Sequence, residues 1–111
     1  MTHRRCLALD LQDDPALIAE YEQRHAPGSG WPEVIRHIRD TGVESMEIWR
    51  TGDRLFMITE VAEDYPRDVA LPPEVEHWEE LMWRFQKPLK QAADGEKWVP
   101  MTRIFSLSEQ A

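Results

Sequence analysis

From residue 3 to residue 11 the chain alternates, with Arg5, Leu7, Leu9 and Leu11 on one side and Arg4, Cys6, Ala8 and Asp10 on the other. A period of two predicts a strand, here one with two largely apolar faces. The period then lengthens. Asp13-Asp14-Pro15 supplies an N-cap and a first-turn proline, and Leu17, Ile18 and Tyr21 form a helical stripe that runs toward His25. Ala26-Pro27-Gly28-Ser29-Gly30 breaks that helix, and Trp31-Pro32-Glu33 restarts one whose Val34, Ile35 and Ile38 recur at helical spacing until Gly42.

Val43 to Arg50 and Leu55 to Val61 flank Thr51-Gly52-Asp53, which predicts an antiparallel hairpin. A polar, proline-bearing stretch from Ala62 to Pro73 leads to a second helix with the stripe Val75, Trp78, Leu81, Met82 and Phe85, ended by Pro88. After the loop Ala92 to Glu96, residues Lys97 to Leu107 alternate as a last strand. The order is that of an α+β, ferredoxin-like βαββαβ domain, expected as a single domain over residues 1–111. In that fold the helices cover one face of the sheet. Leu55-Phe56-Met57-Ile58 and the first strand are apolar on both sides, so a second copy of the chain is expected on the other face, as a homodimer.

Charge narrows the partner. With 21 acids against 13 bases, the formal net charge is −8, which argues against nucleic acid or an anionic membrane surface and leaves a small neutral or cationic molecule. The apolar run Cys6 to Leu9 is interrupted by Asp10, so it reads as a strand rather than a signal peptide, and no stretch has the length of a membrane span. The one cysteine, Cys6, leaves no intrachain disulfide, in keeping with a cytoplasmic location. Five tryptophans, at 31, 49, 78, 83 and 98, either fill the core or line a cavity where their flat faces stack on a ligand.

No GxGxxG, P-loop, HExxH, Cys-x-x-Cys or GxSxG pattern occurs, so dinucleotide, nucleotide, zinc and serine-hydrolase readings lack support. His3 sits at the terminus and His37 between Arg36 and Arg39, on what reads as a solvated helix side. Only His25 and His77 have an inward direction, too few for a metal site. Tyr21 and His25 lie four residues apart and so share a helix face. A histidine there suits acid-base chemistry near neutral pH; its structural alternative is a core-edge ring satisfied by a backbone carbonyl.

Tyr21-Glu22-Gln23-Arg24-His25, Trp31-Pro32-Glu33, Gly42-Val43, Trp78 and Trp98-Val99-Pro100-Met101 through Ile104-Phe105 together resemble the L-rhamnose mutarotase family, in collinear order over nearly the whole chain. The resemblance implies a dimeric α/β barrel of ferredoxin-like protomers that interconverts the anomers of a free 6-deoxyhexose with no metal or organic cofactor. It matches His25 to the family's acid-base histidine and Tyr21 to a sugar-contacting tyrosine. The site it implies also includes Trp31 and, where the family carries a tandem tryptophan pair, His77 and Trp78. Met46 falls where rhamnose-specific members have a tyrosine, and Gly95-Glu96-Lys97-Trp98 resembles the branch acting on L-fucose. L-Fucose is therefore the expected substrate ahead of L-rhamnose, with His77 a second candidate donor. Two other readings fit the same fold: a cofactor-free monooxygenase or haem-handling barrel protein, and a non-catalytic sugar-binding module.

Overall fold

The computed structural model describes residues 2–110. Strand β1 (Thr2–Leu11) is followed by two helices, α1 (Pro15–Arg24) and α2 (Pro32–Asp40). The hairpin β2 (Val43–Thr51) and β3 (Arg54–Ala62) comes next, then helix α3 (Pro73–Trp83). Two short strands, β4 (Gln86–Lys87) and β5 (Val99–Pro100), and a 3₁₀ turn at Leu107–Glu109 complete the chain. The sheet is antiparallel with the order β2-β3-β1-β4, and β5 also pairs with β1. This is the expected α+β strand order, with the first crossover carrying two helices and the last strand split in two.

The hairpin turns where the sequence places it. Thr51 pairs with Arg54 across Gly52-Asp53; Gly52 has φ +57 while Asp53 stays at negative φ, the sign pattern of a II′ turn with glycine first. At the end of α2, Gly42 has φ +111, a backbone conformation that residues with a side chain rarely adopt. That is why the helix stripe stops at this residue.

Cross-strand register separates the two sheet faces. Leu9 opposite Leu55 and Leu7 opposite Met57 lie on the side covered by the helices. There Leu11 and Leu55 pack with Tyr21, Val34, Val75, Trp78, Met82 and Phe85 in the core. On the other side runs the row Trp49, Phe56, Ala8, Val99, next to Cys6 and Ile58. None of these residues belongs to the core cluster that the helices build among the described residues, and Trp49 is 60% exposed.

Two expectations need correction. The helix expected to reach Phe85 ends at Trp83, because Arg84 and Phe85 donate their N–H groups to Leu81 and Met82 in tighter, three-residue bonds. This turns Phe85 fully into the core and lays Gln86-Lys87 against Leu11 and Asp10 as a strand. The last strand, expected over Lys97 to Leu107, pairs only through Val99 and Pro100, with one further bond from Met101 N–H to the Cys6 carbonyl. Beyond it the apolar residues that suggested a strand are largely exposed: Ile104 is 94% and Phe105 63% exposed. Among the described residues, no helix is long and apolar enough to cross a membrane.

Candidate active site

Helix α1 starts on Asp14, whose Oδ1 accepts from the N–H groups of Ala16 (2.9 Å) and Leu17 (3.2 Å), with Pro15 in the first turn. It ends at Arg24, so His25 is the C-cap. This phase places Tyr21 and His25 on the inner face one turn apart, and their rings stack with centroids 4.2 Å apart and planes at 23°. Edge-on contacts extend the cluster: Tyr21 to Phe85 at 6.0 Å, His25 to Trp78 at 5.5 Å and Trp78 to Trp31 at 5.1 Å. Aromatic edges meeting faces in this way fix ring orientation as well as burying area.

His25 Nδ1 donates to the Tyr21 carbonyl oxygen at 2.7 Å. A carbonyl can only accept, so Nδ1 carries the proton and the neutral ring keeps its lone pair on Nε2. Nε2 has no hydrogen-bond partner among the described residues. The backbone carbonyl thus satisfies one nitrogen and leaves the other free for chemistry. Although His25 as a residue is exposed at the helix end, its ring is packed against Tyr21 and Trp78. That burial holds its pKa below the ordinary histidine value, offset only in part by the bond to the Tyr21 carbonyl. Tyr21 is 3% exposed, and its burial pushes the phenol up to about 12. The bond from Gln86 works in the opposite direction, and the charge of Glu79 adds to the rise. Near neutrality the pair is therefore an unprotonated imidazole beside a protonated phenol.

These rings line a cavity of about 580 Å³, inside the range of roughly 300–1,000 Å³ usual for small-molecule sites. Met46, Ile48 and Met57 present its sheet side, and Lys97 and Trp98 come in from the segment before β5. A second concavity of about 340 Å³ shares Tyr21, His25 and Ile48 and runs toward Glu22 and Arg50, whose charged ends are 3.4 Å apart. Of the residues singled out by sequence, Tyr21, His25, Trp31, Met46 and Trp78 all meet at the cavity. His77 does not: it is exposed and absent from the lining. Successive helix residues differ by about 100°, so the turn that buries Trp78 directs its neighbour outward. His37, expected on a solvated face, is half-buried and reaches the cavity wall.

Gln86 is a cavity residue that the sequence did not single out, and Lys97 is one that it marked only as part of Gly95-Glu96-Lys97-Trp98. Gln86 was hidden by reading the helix on to Phe85 and Pro88. The place of Lys97 in the site is set by contacts across the fold: its ammonium pairs with the Glu79 carboxylate and lies 4.8 Å from the Trp83 ring centroid. No three His, Cys, Asp or Glu side chains among the described residues converge as metal ligands.

Residues 4–107 match the family described as L-rhamnose mutarotase. The chain belongs to the L-rhamnose mutarotase family. That membership makes it an isomerase of the mutarotase type, the activity its sequence led us to expect. An L-fucose mutarotase of Xanthomonas campestris is 50% identical over 112 residues, covering 96% of this chain and 89% of that protein. An L-rhamnose mutarotase of Acidiphilium cryptum is 29% identical over 105 residues, covering 91% of this chain and 96% of that one. The crystal structure of an L-rhamnose mutarotase from Formosa agariphila shares the fold, with a TM-score of 0.68 at 21% identity over 95% of this chain and 98% of that chain.

Proposed function

We propose that the protein interconverts the α and β anomers of free L-fucose, and less readily L-rhamnose, by opening and reclosing the pyranose ring with His25 as base and Tyr21 as acid. The observation that carries this reading is the free Nε2 of His25, held in one tautomer by the Tyr21 carbonyl at 2.7 Å on the wall of the 580 Å³ cavity. The choice of L-fucose is supported by the 50% identity to a protein of that activity, against 29% to an L-rhamnose mutarotase.

In the forward step, Nε2 of His25 takes the proton of the anomeric hydroxyl. The oxygen's electrons form the carbonyl, and the bond from C1 to the ring oxygen breaks with its pair going to that oxygen. The ring oxygen takes the proton of the Tyr21 hydroxyl. After rotation about C1–C2 the open-chain hydroxyl attacks the other face of the carbonyl, returning its proton to Tyr21 while His25 reprotonates the new anomeric oxygen. Protons and electrons balance, and each residue ends as it began. The groups sit in the protonation states this needs, since burial favours neutral imidazole and neutral phenol alike. Trp78 and Trp31 offer the apolar surface that C–H faces of a sugar stack on. Met46 stands where a hydroxyl-bearing side chain would meet the substrate from the sheet, and its thioether there favours the less polar side of a 6-deoxy sugar.

The working form is a homodimer. Support comes from the outer sheet row of Trp49, Phe56, Ala8 and Val99 and from the exposed Met101, Ile104 and Phe105 beside it, an apolar surface of the kind a second copy covers. Exchange NMR on equilibrated L-fucose tests the catalytic reading: the protein should raise the rate between the anomer signals above the spontaneous rate, and His25→Asn should remove most of the increase.

A further inference from the structure

Gln86 is a buried polar side chain whose chemistry remains unassigned. It is 4% exposed and lines the cavity, and its backbone is held on both sides, by pairing with Leu11 and by Gln12 Nε2 donating to its carbonyl at 3.3 Å. Its Nε2 donates to Tyr21 Oη at 3.3 Å. Its Oε1 is buried with no hydrogen-bond partner among the described residues. An amide left half unpaired in the interior costs about 1–3 kcal/mol, and a leucine or methionine would fill the same space without that cost. Packing therefore does not account for a glutamine here.

The direction of the one bond it makes does. A phenol oxygen that accepts from an amide keeps its own proton free for another acceptor, whereas a phenol that donates to a protein carbonyl has none left to give. We propose that Gln86 is the positioning residue of the acid: by donating Nε2–H to Tyr21 Oη, it leaves the phenolic proton for the sugar ring oxygen and stabilises the negative charge that Oη gains when that proton leaves. This rests on the assignment of Tyr21 as the acid. A fixed donor aimed at an oxygen where charge develops acts chiefly on the transition state, so its loss lowers kcat more than it raises KM. The bond also opposes the upward shift that burial and Glu79 impose on the phenol, and the titratable and charged groups lining the same cavity are Arg24, His25, His37, Glu79 and Lys97.

The test is a double-mutant cycle of Gln86→Met and Tyr21→Phe, with anomer exchange of L-fucose measured as kcat and KM and folding checked by thermal unfolding. Gln86→Met should lower kcat about 10- to 100-fold with KM within about twofold, and should have no further effect on kcat when Tyr21 is already phenylalanine. In Gln86→Met the alkaline ultraviolet titration of Tyr21 should also move to higher pH. Equal losses of kcat in the presence and absence of the Tyr21 hydroxyl would overturn the proposal, as would wild-type kcat in a folded Gln86→Met protein. Gln86→Glu supplies a second route should the methionine variant not fold: an ionised carboxylate captures the phenolic proton, so its rate relative to wild type should fall with rising pH, and a constant ratio would overturn the proposal. Failure of Gln86 alone leaves wild type active and His25→Asn inactive; failure of the mutarotase reading leaves wild type itself without effect on the exchange.

Discussion

Replacing Tyr21 by phenylalanine separates what the hydroxyl does for stability from what it does for rate. The ring's contacts survive the change: the 4.2 Å stack on His25 and the edge contact with Phe85 are made by the aromatic ring that phenylalanine keeps. What is lost is the bond from Gln86 Nε2 at 3.3 Å. Because Oε1 of that amide already has no partner, both ends of Gln86 would then be buried unpaired, a cost of about 1–3 kcal/mol. At 3.3 Å the bond is long for its type, so the lower half of that range is expected. The rate should respond more. Removing a general acid typically costs about 10²–10⁴-fold, and a water seated in the space of the hydroxyl would recover part of this, which places Tyr21→Phe at roughly 10–10²-fold and below the loss for His25→Ala. Urea unfolding gives the first quantity and anomer-exchange NMR on L-fucose the second. A variant that loses stability but keeps wild-type kcat would refute the acid role of Tyr21, and a greater loss than His25→Ala would reverse the two assignments.

Because burial depresses the His25 pKa, the acid limb of kcat/KM should have its midpoint below 6.5, the ordinary histidine value; a midpoint above 6.5 would contradict the burial argument. The same depression means that the unfolded chain binds the proton first, so stability lent by neutral His25 is present above the unfolded pKa and is lost as pH falls through the folded one; His25→Gln should flatten that part of the stability profile. Sedimentation at micromolar concentration should show a dimer, and Phe56→Glu on the outer sheet row should yield monomer; a wild-type monomer would remove the dimer and with it the barrel. Met46→Tyr should shift the ratio of L-fucose to L-rhamnose exchange rates by an amount worth about 1–3 kcal/mol, whereas His77→Trp, on the exposed side of α3, should leave the ratio within about twofold within a single protomer's site.

The strand and helix periods were legible because each element faces one apolar layer: the alternation of Leu7, Leu9 and Leu11 and the stripe through Val75, Trp78 and Met82 both end in the same core. Tyr21 and His25 were legible for the same reason, four residues apart on one helix. His77 was misplaced because resemblance aligns a residue without giving its helical phase, and Trp78 takes the inward direction. Gln86 escaped because Phe85 continues the helical stripe in sequence while leaving the helix in space. The alternation from Lys97 to Leu107 recorded apolar residues correctly, but alternation alone does not say whether the surface they meet belongs to the same chain.

Anomer exchange of L-fucose at neutral pH, measured by saturation transfer with no protein, with wild type and with His25→Asn, bears most directly on the central assignment. Asparagine keeps a polar group near the Tyr21 carbonyl but has no titrating nitrogen to face the cavity. Exchange well above the spontaneous rate is expected for wild type, with a loss of about 10²–10⁴-fold in the enzyme-dependent part for His25→Asn and the fold intact. Wild-type exchange rates in a folded His25→Asn protein would contradict the assignment.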